Sequence, residues 1–111
     1  MAEPGNDLLR GTLDTLILST LRGSPRHGYG IARWLEQRSG EALSIEEGSL
    51  YPALYRLERQ GAIEAEWGTS ELGRRAKLYR LTPQGHSALE RDTERWLAFS
   101  RAVSQVLLAE A

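Results

Sequence analysis

The chain has 111 residues, 41% of them hydrophobic and 26% charged, with a formal net charge of -1 and no cysteine. That length suits one domain with a modest core and an appended helix, the composition is that of a globular protein, and the missing cysteines exclude disulfides and thiolate metal sites. The longest apolar run, around Leu16-Ile17-Leu18, is far too short to cross a bilayer, and Met1-Ala2-Glu3-Pro4 is no signal-peptide start, so a cytoplasmic protein is expected.

Leu9, Leu13, Leu16, Ile17 and Leu21 recur at helical spacing and predict a first helix over residues 8–21, closed by Arg22-Gly23-Ser24-Pro25. Gly28-Tyr29-Gly30 opens a second helix, in which Ile31, Trp34 and Leu35 share a face and which Ser39-Gly40 breaks. Leu43-Ser44-Ile45 reads as one short strand. In the third helix Leu50, Leu54 and Leu57 fall at i, i+4 and i+7 on a single buried stripe, leaving Tyr51, Pro52, Tyr55, Arg56 and Arg59 around the rest of the circumference. Ser49, preceded by Gly48, is the expected cap, Pro52 is tolerable only in or close to the first turn, and Gly61 suits the position just past the end.

Ile63, Ala65 and Trp67 alternate with Glu64 and Glu66, the period of a half-buried strand. Residues 68–75 form a polar loop with two glycines, and residues 77–81 alternate again, Tyr79 and Leu81 against Leu78 and Arg80. Trp34 and Trp67 are read as core. Thr82-Pro83 is a hydroxyl cap followed by proline at the first helical position, so a last helix starts there and runs almost to the C-terminus, with Gly85 a mild weakness. Along it Leu89, Trp96 and Val103 recur every seven residues, with Asp92, Phe99 and Val106 three beyond each; five of these six are apolar, the pattern of a seam against another helix.

Three helices, the third after a short strand, followed by a hairpin with a basic loop, are the plan of a winged helix-turn-helix. The expected fold is therefore mostly α with a small β-hairpin, divided into a DNA-binding unit over residues 1–81 and a C-terminal helix over residues 82–111. Docking of this kind puts the third helix into the major groove, which turns Tyr51, Pro52, Tyr55 and Arg56 toward DNA and makes Arg56 the candidate for a bidentate contact with guanine. The near-zero net charge hides a local concentration: Arg74, Arg75, Lys77 and Arg80 lie within seven residues with no acid among them. Arg74, Arg75 and Lys77 are expected to contact phosphates from the wing, supplying affinity and salt dependence more than sequence information.

At this point the chain resembles the PadR-type bacterial transcriptional regulators. The resemblance rests on Leu9-Arg10-Gly11-Thr12-Leu13, His27-Gly28-Tyr29-Gly30-Ile31, Gly48-Ser49-Leu50-Tyr51-Pro52-Ala53-Leu54, Arg56-Leu57-Glu58 with Gly61-Ala62-Ile63, and Tyr79-Arg80-Leu81-Thr82-Pro83-Gln84-Gly85, in the family's order and spacing. It implies a winged-helix repressor that acts as a homodimer, of the short subgroup with a single C-terminal dimerisation helix. It also implies that Tyr29 contacts a phosphate and that Ser49, Tyr51 and Pro52 lead the recognition helix. The wing tip departs from the family's pattern, reading Thr69-Ser70-Glu71-Leu72-Gly73, and Glu71 there would repel phosphate.

Two placements stay open at Tyr29, which can pack beside Ile31 or face the groove. Leu89, Trp96, Phe99, Val103 and Val106 form the dimer seam, and the two large aromatics among them can also leave a slot for a small aromatic effector. Catalysis finds no support: His27 and His86 are far apart and lack metal-ligand spacing, Glu46-Glu47 sit at a helix N-terminus that favours negative charge, and Gly28-x-Gly30 lacks a third glycine. No enzyme, metal or cofactor is expected. The function expected is a sequence-specific DNA-binding regulator on an inverted-repeat operator; the rival is a winged helix whose tyrosine face docks a protein, favoured by the near-neutral charge and by Glu64, Glu66 and Glu71 around the hairpin.

Overall fold

Leu13, Ile17 and Leu18 are buried along α1 (Leu13–Thr20), the first element of a computed structural model that describes residues 12–110. The part of the expected first helix before residue 12, with Leu9 and Gly11, lies outside the described residues. The helix closes where the Leu21 amide donates to the Leu18 carbonyl, and the buried Thr20 hydroxyl is satisfied by the Ile17 carbonyl at 2.7 Å.

The next element corrects the sequence reading. Arg26–His27 forms a two-residue strand, β1, whereas Leu43-Ser44-Ile45 forms none. β1 exists because of its partner: Arg26 pairs with Tyr79 and His27 with Leu78, and the His27 Nδ1–H donates to the Lys77 carbonyl at 2.9 Å. Ile45 is buried and Leu43 packs against the core, so both apolar side chains are used, but their backbone has no ladder to join. α2 (Gly28–Arg38) starts directly from β1 and buries Gly28, Ile31 and Leu35. It stops at Gly40 and Glu41, whose φ angles of 63° and 67° are left-handed.

α3 (Glu47–Arg59) buries Leu50, Ala53, Leu54 and Leu57. Its N-cap is Glu46 and not Ser49, which is the third helical residue. Pro52 is therefore the sixth residue and stands inside the helix, just past the first turn. The hydrogen bond it forfeits would have gone to the carbonyl of Gly48, an exposed residue whose carbonyl water can reach. At the other end Gly61 takes φ 78° and the Ala62 amide donates to the Leu57 carbonyl, a glycine stop where the sequence placed it.

β2 (Ile63–Thr69) and β3 (Arg75–Leu81) pair antiparallel, with Trp67 opposite Lys77, and β1 adds to the other edge of β3 to give the order β1-β3-β2. The connecting turn is tighter than expected, closed by the Ser70 amide on the Arg74 carbonyl and by Gly73 at φ 75°. α4 (Pro83–Leu107) begins at Thr82 as read from the sequence, with the Thr82 hydroxyl accepting from the Gly85 amide at 3.0 Å and donating to the Gly61 carbonyl at 2.6 Å. Gly85 is no weakness. It is buried, and a Cβ there would meet the Ala62 carbonyl oxygen and lie 2.8 Å from Leu81 Cδ1, so glycine is what lets α4 cross the end of α3 this closely.

Leu89 seals the core, which combines α1, α2, α3 and the sheet around Ile17, Ile31, Leu54, Ile63 and Tyr79. Past Leu89 no residue of α4 is fully buried, but the helix still runs beside α1 and α3 as far as Phe99 before projecting, and the extents are 58 × 32 × 22 Å. Among the described residues no helix is long and apolar enough to cross a membrane. The architecture is a winged helix carrying a long C-terminal helix.

Candidate nucleic-acid interface

With Leu50, Ala53, Leu54 and Leu57 turned inward, the line of α3 furthest from the core is Gly48, Pro52, Tyr55 and Arg59. Tyr55 is exposed, and the Arg59 guanidinium lies 5.8 Å from its ring centroid. Ser49 and Pro52 are exposed beside it. Arg59, which the sequence puts on the circumference of the helix but not among the residues turned toward DNA, thus stands on its outermost line with no acidic partner among the described residues. The visible signal was its i+4 spacing from Tyr55.

Tyr51 flanks this line on the side of α2. Its ring covers the start of that helix so closely that a Cβ on Gly28 would sit 3.0 Å from Tyr51 Cε1 and 3.1 Å from its hydroxyl. Tyr29, next in α2, is 70% exposed, which resolves its two placements in favour of the surface. Tyr29, Tyr51 and Tyr55 therefore present three phenols on one side of the α2–α3 pair. Behind them Tyr79 is buried, and burial first, then the Glu58 carboxylate and Tyr51, push its pKa above the ordinary value.

Arg56 lies on the opposite flank, toward α1. There Asp14 takes both arms of its fork, at 2.6 Å from Nη2 and 3.3 Å from Nε, and this hydrogen bonding and charge raise its pKa. The guanidinium geometry expected to face guanine is thus engaged by a carboxylate 42 residues away in sequence, a contact no local pattern announces.

The wing places its cations unequally. Arg74 is exposed and makes no ion pair among the described residues, Lys77 pairs with Glu58 of α3 at 3.3 Å, and Arg80 pairs with Glu66. Trp67, read as core, is 57% exposed. It follows Ile63 and Ala65 on the inward face, but the hairpin outruns the domain at that point, and cations take the place of core: Arg75 lies 4.6 Å and Lys77 5.7 Å from its ring centroid. Trp34 is half-buried, flanked by Arg26 at 5.5 Å and Arg38 at 5.2 Å.

On α4, Leu89 is buried within the chain's own domain, whereas Trp96, Phe99, Val103 and Val106 are exposed. Trp96 and Phe99 lie 6.4 Å apart between centroids, at 47°. With Asp14, Arg56, Asp92 and Arg95 they line an open groove of about 620 Å³ between α1, α3 and α4. The carboxylate and guanidinium that meet at Asp14 and Arg56 are thus one wall of a partly aromatic groove.

Comparison with known proteins agrees with this geometry. The family model described as Transcriptional regulator PadR-like family matches residues 17–91. Two solved structures are similar over nearly their whole length. A transcriptional regulator from Clostridium thermocellum has TM-score 0.81 at 33% identity, covering 89% of this chain and 96% of that one. A PadR family transcriptional regulator from Eggerthella lenta has TM-score 0.80 at 33% identity, covering 95% and 89%. Transcriptional regulator Rv3488 of Mycobacterium tuberculosis is 40% identical over 60 residues, 53% of this chain and 55% of that one.

Proposed function

Because the chain belongs to the PadR-like transcriptional regulator family, whose members bind DNA, we propose that it is a cytoplasmic, sequence-specific repressor that binds an inverted-repeat operator as a homodimer. The observation that carries this reading is the division of exposed groups between two regions. Tyr29, Tyr51 and Tyr55 cluster on the α2–α3 side, with Ser49, Pro52 and Arg59 beside them, and the wing adds Arg74, Arg75 and Lys77. The apolar stripe of α4 lies past Leu89 on the other flank of α3, where Trp96 and Phe99 line the groove with Asp14 and Arg56. Phenols and guanidinium groups suit phosphates and base edges, and an exposed stripe of Trp96, Phe99, Val103 and Val106 suits a second copy of itself.

In this reading residues 1–81 bind DNA and residues 82–111 dimerise. Two-fold symmetry requires inverted half-sites, which are expected one helical turn apart, about 34–36 Å. The groove beside Trp96 and Phe99 takes a small aromatic effector, and the protein works by binding without turnover. The repressor role rests on the family resemblance and is tested by transcription from the operator with and without the protein. Selection of bound fragments from randomised duplex DNA at about 150 mM salt, where backbone-only binding is suppressed, tests the rest. A palindrome with half-sites one turn apart is expected. A folded dimer that enriches no sequence would contradict the proposal and favour a protein partner for the tyrosine face.

A further inference from the structure

A tryptophan more than half exposed on a hairpin face that elsewhere packs the core requires an explanation. Direct pairing puts Trp67 opposite Lys77, and Lys77 reaches the Glu58 carboxylate of α3. Trp67 therefore faces the cleft between the recognition helix and the wing. If α3 lies in a major groove and the wing rests beyond it, the sugar–phosphate strand dividing those grooves has to pass through this cleft. The groups present suit that strand. The indole supplies one neutral N–H donor and an apolar ring, Arg75 stacks on the ring with no acidic partner among the described residues, and Lys77 pairs with the Glu58 carboxylate.

We propose that Trp67 is a DNA-contacting residue, the floor of a seat for one backbone strand between α3 and the wing, with Arg75 and Lys77 as its cationic sides. This rests on the reading of the chain as a duplex binder and adds a residue that neither its helical motif nor its basic loop contains. The seat has no access to base edges, so it contributes to every sequence alike.

The test is fluorescence anisotropy of the full-length protein with two labelled duplexes, the selected operator and a scrambled sequence of equal length, from about 50 to about 300 mM salt. Trp67→Ala is expected to weaken both about tenfold, the loss of one hydrogen bond to a charged group, at every salt concentration. The slope of log affinity against log salt stays that of the wild type, because a neutral donor releases no counterion. Trp67→Phe keeps a ring for Arg75 but has no N–H donor, so it is expected to lose nearly the same tenfold; it carries the same test should the alanine variant loosen the hairpin. Dissociation constants within twofold of wild type for both variants, at an unchanged melting temperature, overturn the seat and leave DNA binding intact. A wild-type protein that binds neither duplex overturns the duplex reading and the seat together.

Discussion

Arg56 can act on a base only by leaving Asp14, and that requirement gives its role a sign that can be measured. The pair is bidentate, yet its side chains are 51% and 38% exposed, so solvent screens it and its worth is about 0.2–1 kcal/mol despite the 2.6 Å contact. Asp14→Asn removes that cost of release. If Arg56 forks onto a guanine, Asp14→Asn should tighten operator binding by up to about fivefold, the factor that 1 kcal/mol represents. Arg56→Ala should weaken it by about 1–3 kcal/mol and relax preference at one base pair.

Removing a carboxylate also favours any polyanion, so the gain has to be separated from plain electrostatics. In the Arg56→Ala background the release term is gone and only the general term remains. The assay is therefore a double-mutant cycle of dissociation constants on the operator and on a duplex with the assigned guanine replaced. An Asp14→Asn gain that is equal in both backgrounds and on both duplexes, with specificity unaltered in Arg56→Ala, refutes base contact by Arg56. It would leave the residue as a tie between α3 and α1.

Four further outcomes follow from the geometry. Gly85→Ala should destabilise by about 2–3 kcal/mol, read as a fall in melting temperature, because its Cβ meets the Ala62 carbonyl and Leu81; Gly48→Ala, with open space around it, should instead stabilise by about 0.5–1 kcal/mol. Gly28→Ala should leave the melting temperature nearly unchanged, since the far end of Tyr51 can yield, but weaken operator binding through the displaced phenol; unchanged binding would separate Tyr51 from the interface. The raised pKa of Tyr79 means that the folded state holds its proton more tightly than the unfolded state, so its contribution is complete below about pH 10 and is lost as pH rises beyond it. Thermal melts from about pH 8 to about pH 11 should fall less steeply for Tyr79→Phe than for the wild type. Trp96→Glu places a charge in the α4 stripe and should yield a monomer by sedimentation; a surviving dimer would move the seam elsewhere.

The fold was legible wherever a residue's role is set by its neighbours in sequence. Thr82-Pro83 and Gly61 marked their helix ends, and the leucines of α3 marked its inner face, because capping and periodicity are local. What was missed depends on partners far along the chain. β1 has no strand pattern of its own and is created by Tyr79 and Leu78, while Leu43 and Ile45 have the pattern and no ladder. Trp67 alternates correctly with Ile63 and Ala65, but periodicity does not record where the core ends. The start of α3 was placed too late because Ser49 is a good cap by chemistry, whereas the backbone turns at Glu46. Gly85 shows the same limit. Propensity makes it a weakness, and the passing Ala62 carbonyl makes it a requirement.

These distant contacts also explain how a chain of net charge -1 can serve a polyanion. On α3 and the wing, Arg56, Lys77 and Arg80 each have a carboxylate partner, whereas Arg59, Arg74 and Arg75 have none among the described residues. Paired cations contribute little to counterion release until their partners are exchanged for phosphate, and each exchange returns part of the gain as a lost ion pair. In the proposed reading non-specific attraction is expected to be low, and the remaining affinity is assigned to groups that need correct geometry: three exposed tyrosines, the indole of Trp67 and the guanidinium groups stacked on aromatic rings. A sequence-specific regulator of the kind proposed would gain from that balance, because the discrimination ratio, not the strength of binding to any duplex, decides occupancy. On that proposal the acids Asp14, Glu58 and Glu66, each of which holds a cation in an ion pair, are expected to add to the selectivity, because only a phosphate or base in the right place displaces them.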